Sequence, residues 1–167
     1  DEKYEEALKS YDEVERALGV DEDLVHQKQR IYLKLDKPKK AVEEAQKLIN
    51  AEPNEAQYVV ELAQLLMMDK RTQEAKEQLE KALKINPDEA NARMMLAEIY
   101  RQNGDNKAAE QQIGQMFNNP NADIDTKMQA LVGLLREAKD EATRQDVLNR
   151  AAESVKAHPK DMRAYVV

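Results

Sequence analysis

Apolar and small residues fall into columns separated by a constant step. Alanine stands at Ala7, Ala41, Ala75 and Ala109, 34 residues apart each time. Tyr11, Ala45, Leu79 and Ile113 follow four residues later, and Val14, Leu48, Ala82 and Met116 three further on, with the same step. Tyr32, Leu66 and Tyr100 form another column, each preceded by Ile31, Leu65 or Ile99, and Pro53 and Pro87 share the spacing. Several columns in one period mark a repeat whose unit is a single supersecondary element. In residues 56–69, Val59, Leu62, Ala63 and Leu66 sit at i, i+3, i+4 and i+7, one apolar face of a helix. Asp69-Lys70-Arg71 breaks the pattern, and residues 72–84 resume it with Ala75, Leu79, Ala82 and Leu83. Asn86-Pro87-Asp88 then closes the unit, because proline biases its predecessor away from helix and suits a first helical turn. The next unit repeats the plan around Asn103-Gly104-Asp105, where Gly104 is free to take a left-handed turn. Each unit is therefore predicted to be two antiparallel helices.

The period divides the chain into one continuous array. Residues 1–20 match only the second helix of a unit; 21–54, 55–88 and 89–121 are regular units; 122–160 is a lengthened one; and 161–167 opens another. In the lengthened unit Pro120 and Pro159 are 39 residues apart, and Thr143 occupies the alanine column. Its helices are expected over 123–137, with Ile124, Met128, Leu131 and Leu135 on one face, and over 141–157, with Val147, Leu148, Ala151 and Val155 facing them. Both ends fall inside a repeat, which predicts a piece of a longer array, since solenoid units bury their faces only against neighbours. Tyr4, Leu8 and Tyr11 at one end and Tyr165 to Val167 at the other are then expected to be partly uncovered, making self-association through the ends plausible.

Composition narrows the chemistry. The 167 residues include 4 glycines, 5 prolines and 35% charged residues, a helical composition. With 26 basic against 33 acidic residues the net charge is −7, which argues against nucleic acid as a partner, because duplex affinity rests on cations that neutralise phosphates. Cysteine is absent, removing disulfides, thiolate nucleophiles and Cys-based metal sites; cytoplasmic and periplasmic locations both fit. The only histidines, His26 and His158, are far apart, Ser10 and Ser154 have no triad context, and the glycines form no phosphate-binding loop. No catalytic residue, cofactor or metal site is expected, and the chain is read as no enzyme.

The 34-residue helix–turn–helix with small residues at fixed places and a closing proline resembles the tetratricopeptide repeat (TPR). Val59 and Arg93 fall at the family's fourth position, Leu62-Ala63 and Leu96-Ala97 at its Leu-Gly pair, Leu66 and Tyr100 at its Tyr, and Ala75 and Ala109 at its small position. Arg93 replaces a large apolar residue there, and Lys28 stands where the first full unit should have leucine. His158-Pro159-Lys160-Asp161 with Ala164-Tyr165 looks like bacterial TPR proteins, some of them exported lipoproteins. The resemblance implies an all-α fold, a right-handed α-solenoid of antiparallel helix pairs, whose concave groove holds a protein or peptide.

In such an array unit positions 2, 5, 9 and 12 line the groove. Here they carry Asp23, His26, Arg30 and Leu33, then Gln57, Val60, Gln64 and Met67 beside Met68, then Asn91, Met94, Glu98 and Arg101 beside Gln102. Arg30, Gln64, Met67, Met94, Glu98 and Arg101 are the candidate contacts, around a methionine-containing floor suited to varied apolar partners. Plainer roles stand beside these: Met67, Met68 and Met94 packing on neighbouring helices, His26 as a surface histidine, Arg30 and Arg101 in surface ion pairs, and Lys34, Lys37, Lys39 and Lys40 as a solvated turn. Tyr32 and Tyr100 are expected in the core. The family's carboxylate clamp would fall on His26, Arg30, Glu61, Asn91 and Met95, and Glu61 would repel a carboxylate. The expected function is a non-catalytic protein- or peptide-binding scaffold; the alternatives are an assembly scaffold acting through its edges or convex face, or the non-catalytic part of a larger enzyme or transport machine.

Overall fold

A computed structural model describes residues 2–165, so Val166 and Val167 of the expected apolar end lie outside the described residues. The described chain is helical throughout, without a strand. It divides into two compact units, residues 1–85 and 86–167. The first holds α1 (Glu2–Leu18), α2 (Glu22–Lys34), α3 (Pro38–Ala51), α4 (Ala56–Met68) and α5 (Thr72–Ile85). The second holds α6 (Ala90–Gln102), α7 (Asn106–Asn118), α8 (Ile124–Glu137), α9 (Glu141–Ala157) and a closing 3-10 turn, Met162–Tyr165.

The turn inside each regular pair repeats with the sequence period. Asp36 (φ 55°), Lys70 (φ 60°) and Gly104 (φ 79°) all adopt the left-handed conformation. Behind each, the next amide reaches back five residues: Lys37 N to Tyr32 O at 2.8 Å, Arg71 N to Leu66 O at 2.8 Å and Asp105 N to Tyr100 O at 2.9 Å. This is the Schellman closure, which satisfies carbonyls at a helix end. The glycine at 104 marks one such turn in the sequence; Asp36 and Lys70 fill the same place at a backbone cost that glycine avoids. Helix starts are fixed by aspartates: Asp21 accepts from Leu24 N and Asp105 from Ala108 N, both at 3.0 Å, and Asp140 forms a reciprocal capping box with Thr143.

In the first unit α2 pairs with α3 and α4 with α5, α3 packs on α4, and α1 rests on α2. The repeat columns form the core: Val59, Ala63, Ala41, Ala75, Leu79 and Ala82 are fully buried. Helix α4 also buries Tyr58, Val60 and Leu65 beside its predicted stripe, so it is covered nearly all round. Tyr58 Oη donates to Glu22 Oε2 at 3.0 Å, tying α4 to the start of α2. On α1, Tyr4 and Tyr11 are half-buried as expected, while Leu8 is buried and Val14 and Leu18 are exposed.

Lys28, the departure from the leucine column, is 0% exposed. Its Nζ lies 2.6 Å from Asp12 Oδ1, 2.6 Å from Glu15 Oε2 and 3.1 Å from Glu44 Oε2. Lys47 closes the network at 2.8 Å from Glu15 Oε1 and 2.9 Å from Glu44 Oε2. Burial opposes the Lys28 charge, but the bonds to Asp12, Glu15 and Glu44 outweigh it and hold its pKa above the ordinary lysine value. The network spans α1, α2 and α3, so a substitution that looks disruptive in the sequence fastens three helices.

The second unit is organised around Phe117, Met116, Ile113, Leu131, Ala97, Ala109 and Val147, with Met94, Tyr100 and Met128 packed against them. Tyr32 and Tyr100 are each half-buried rather than enclosed. Arg93 meets its large-apolar column with its guanidinium turned to polar partners: Gln112 Oε1 at 3.2 Å, Gln115 Oε1 at 2.5 Å and the Pro87 carbonyl at 2.9 Å. The stripes expected for α8 and α9 are partly corrected. Ile124, Leu131 and Val147 are buried, but Leu135 and Leu148 are exposed, while Lys127, Arg150 and Ser154 are buried instead. Lys127 stands three residues after Ile124 and four before Leu131, so it shares their face, and its ammonium goes to carbonyls at the end of α7.

Candidate functional site

The six candidate residues are three on each unit. In the first unit the relevant faces belong to α2 and α4. His26 Nε2 donates to Glu61 Oε2 at 3.0 Å, and Gln57 Nε2 donates to Glu61 Oε1 at 3.1 Å. The imidazole that the sequence reads as a surface group is thus half-buried and bridges the two helices. Two of the positions where the family's carboxylate clamp would fall, His26 and Glu61, are bonded to each other. One turn on from this bridge, Arg30 is exposed and makes no ion pair among the described residues. On α4, Gln64 is exposed, Met67 is half-buried and Met68 is 61% exposed, whereas Val60 in the same predicted row is buried. The bridge thus joins the helix that carries Arg30 to the one that carries Gln64, Met67 and the buried Val60.

In the second unit Asn91 and Glu98 of α6 are exposed. Met94 packs against the core, which realises the plainer of its two roles. Glu98 accepts from Gln102 Nε2 at 2.9 Å. Arg101 is turned toward the second helix of its pair, 3.7 Å from Glu110 of α7. Glu110 also bonds Arg150 of α9, whose Nε lies 2.8 Å from Asp146. Arg101 thus belongs to a charge cluster joining α6, α7 and α9. The lysines of the predicted solvated turn, Lys34, Lys37, Lys39 and Lys40, are mostly open to solvent; Lys40 pairs with Glu43 at 2.6 Å and Lys34 lies 5.6 Å from the centre of the Tyr4 ring.

Other surfaces carry features the sequence did not single out. Around the α1–α2 turn, Val14, Leu18 and Val20 are exposed and, with Leu24, Asp21 and Asp23, line an open cleft of about 460 Å³. No group of three His, Asp or Glu side chains among the described residues is arranged to hold a metal ion. No described helix is long and apolar enough to cross a membrane.

Antiparallel helix pairs repeated with a 34-residue period define a helical-repeat protein of the α-solenoid class. Residues 66–135 match the tetratricopeptide repeat family. Solved structures agree across nearly the full length. MamA is 16% identical with a TM-score of 0.60, covering 94% of this chain and 90% of that one. TTC0263, a thermophilic TPR protein of Thermus thermophilus, is 19% identical with a TM-score of 0.57, covering 98% and 87%. YrrB, described as a TPR protein with an unusual peptide-binding site, is 18% identical with a TM-score of 0.54, covering 98% and 82%. No curated protein matches the sequence. The family matched over residues 66–135 is generally a non-catalytic scaffold for protein–protein interaction, and the solved structures share this chain's α-solenoid fold.

Proposed function

We propose that this chain is a non-catalytic binding module that takes a peptide or protein segment on the face formed by α2 and α4, with Arg30, Gln64 and Met67 as contacts; in the second unit the α6 face carrying Met94, Glu98 and Arg101 is proposed as a contact surface in its own right. The observation that carries this reading is the His26–Glu61 bridge, flanked by polar and thioether side chains left open to solvent around a buried Val60. A buried floor with an adaptable rim suits helix or extended-peptide docking. In the second unit Glu98 is the freest of the three, because Met94 also serves the core and Arg101 also serves Glu110.

The test uses peptides selected from a random display library against the full chain, with affinities then measured for an Arg30→Glu, Gln64→Glu variant. Both positions are exposed, so helicity should be preserved. Loss of at least about tenfold in affinity, roughly 1.4 kcal/mol, supports the face. Unchanged affinity refutes it. If binding survives there but fails in Leu18→Asp, the exposed Val14, Leu18 and Val20 edge is the docking surface and the chain acts as an assembly scaffold.

A further inference from the structure

Two lysines are fully buried among the described residues, and they are stabilised in opposite ways. Lys28 has carboxylates. Lys127 has none: its Nζ donates to the Phe117 and Asn119 carbonyls, at the end of α7, and lies 2.8 Å from His158 Nε2. An ammonium offers three donors and no lone pair, so the imidazole nitrogen must be the acceptor. With Lys127 charged, this contact requires a neutral His158 whose proton is on Nδ1. The carbonyls also present the negative end of the α7 dipole, which offsets part of the cost of burying the charge.

His158 ends α9 and begins the segment that leads into the closing turn. Among the described residues that segment is otherwise held by Arg163 to Asp125 of α8 at 2.6 Å, by the His158 amide to the Ser154 carbonyl of α9 at 2.9 Å and by the burial of Ala164, while Tyr165 Oη bonds back to the Pro159 carbonyl within it. We propose that the Lys127–His158 contact is an acid-released latch, which holds residues 158–165 on α8 at neutral pH and lets go when the imidazole takes a proton.

A protonated His158 has no lone pair for Lys127 and places a second cation against the first. The charged groups around it are Lys127 of α8, Asp123 at the start of α8, and Asp161 and Arg163 of the segment itself. The end of α7 supplies only carbonyls. The buried cation of α9, Arg150, lies over the Phe117 ring and is taken by Glu110 and Asp146. The two nearby carboxylates are already engaged: Asp161 by Arg163, which holds it down to about 2, and Asp123 by Thr126. Burial and the adjacent Lys127 accordingly push His158 below its ordinary 6.5. Burial also pushes Lys127 down, to about 8. Both shifts have the same consequence: the folded unit binds fewer protons than the unfolded chain, so stability rises with pH. For His158 it is lost as the pH falls through 6.5 toward the lower folded value.

The experiment is hydrogen exchange of residues 158–165 in the full chain between about pH 7 and about pH 5, corrected for intrinsic rates, in the original protein and in His158→Gln. Glutamine offers Lys127 an oxygen and does not titrate. The original protein should lose protection on acidification, about tenfold for each unit by which the folded pKa lies below the free value, and His158→Gln should not. An equal loss in both proteins overturns the latch. The ring-nitrogen chemical shifts of His158 in the unaltered protein decide independently of any variant. A proton on Nδ1 at neutral pH supports the latch, and one on Nε2 refutes it.

Discussion

Replacing Lys28 with methionine restores an apolar residue to the leucine column, yet it should destabilise the first unit. The methylenes of Lys28 are already buried, so methionine adds little apolar burial. What is lost is the ammonium at 2.6 Å from Asp12 and Glu15 and 3.1 Å from Glu44. The Glu44 side chain is only 8% exposed and Glu15 14%, so both carboxylates would remain largely desolvated, with Lys47 alone to serve them. Removing one partner of a buried pair costs about 3–5 kcal/mol; because Lys47 stays, about 3 kcal/mol is expected. Urea unfolding followed by far-UV circular dichroism measures the total, and hydrogen exchange of α1–α3 assigns it to this unit. The double variant Lys28→Met, Glu44→Gln leaves Lys47 facing Glu15 alone and should recover at least about half of the loss. Acid adds a second reading. Burial pushes the Glu15 pKa up, but the Lys28 and Lys47 bonds outweigh it and hold it below 4.5. Its contribution is therefore full above 4.5 and lost as the pH falls below that value, and Lys28→Met should flatten this acid loss. A Lys28→Met protein within about 0.5 kcal/mol of the original would refute the reasoning, because the network would then be no more than a surface pair.

Two glycines should respond oppositely to alanine. Gly104→Ala places a side chain at φ 79° with no steric neighbour, so backbone strain alone should cost about 1 kcal/mol, whereas Gly114→Ala inside α7, equally unobstructed, should gain about 0.5–1 kcal/mol; thermal unfolding reads both signs. Asp123→Ala removes the acceptor of Thr126 N at 2.7 Å and should cost about 1 kcal/mol of second-unit stability in urea. The Thr126 backbone bond lowers the Asp123 pKa, so this cap contributes fully above 3.8 and is lost below it, and the difference between variant and original should shrink in acid.

The repeat was legible because its columns are also its contacts. Ala41, Ala75 and Ala109 are fully buried because helices approach closely only where side chains are small, and one periodic demand leaves one periodic trace. The break at Asp69-Lys70-Arg71 was legible as well, but the left-handed residue of the turn was announced only at Gly104, since Asp36 and Lys70 adopt the same conformation without being glycine. The face with Arg30 and Gln64 follows from helical geometry, but the His26–Glu61 bridge joins residues 35 apart and no helix-local pattern encodes it. Met94 and Arg101 show the converse difficulty. A row at fixed spacing says which way a side chain leaves its helix, not whether the core or a neighbouring carboxylate claims it. Lys127 left a signal in its place on the Ile124–Leu131 face, but a lysine there reads as an interruption until the carbonyls of α7 are in view.

A chain built from similar helix pairs carries a hazard during folding: each second helix resembles the others well enough to settle on the wrong neighbour. Lys28 falls in a column otherwise filled by Leu62 and Leu96, and its partner Glu15 in one otherwise filled by Ile49, Leu83 and Phe117. Within these two columns, Lys28 and Glu15 are the charged residues, and they pair with each other. If α1 settled on α4 in place of α2, Glu15 would meet Leu62 and lose its Lys28 partner while remaining largely desolvated, which disfavours that arrangement. The pair thus works as a key cut for one lock, penalising out-of-order assembly at the first junction while the remaining junctions keep an interchangeable apolar code.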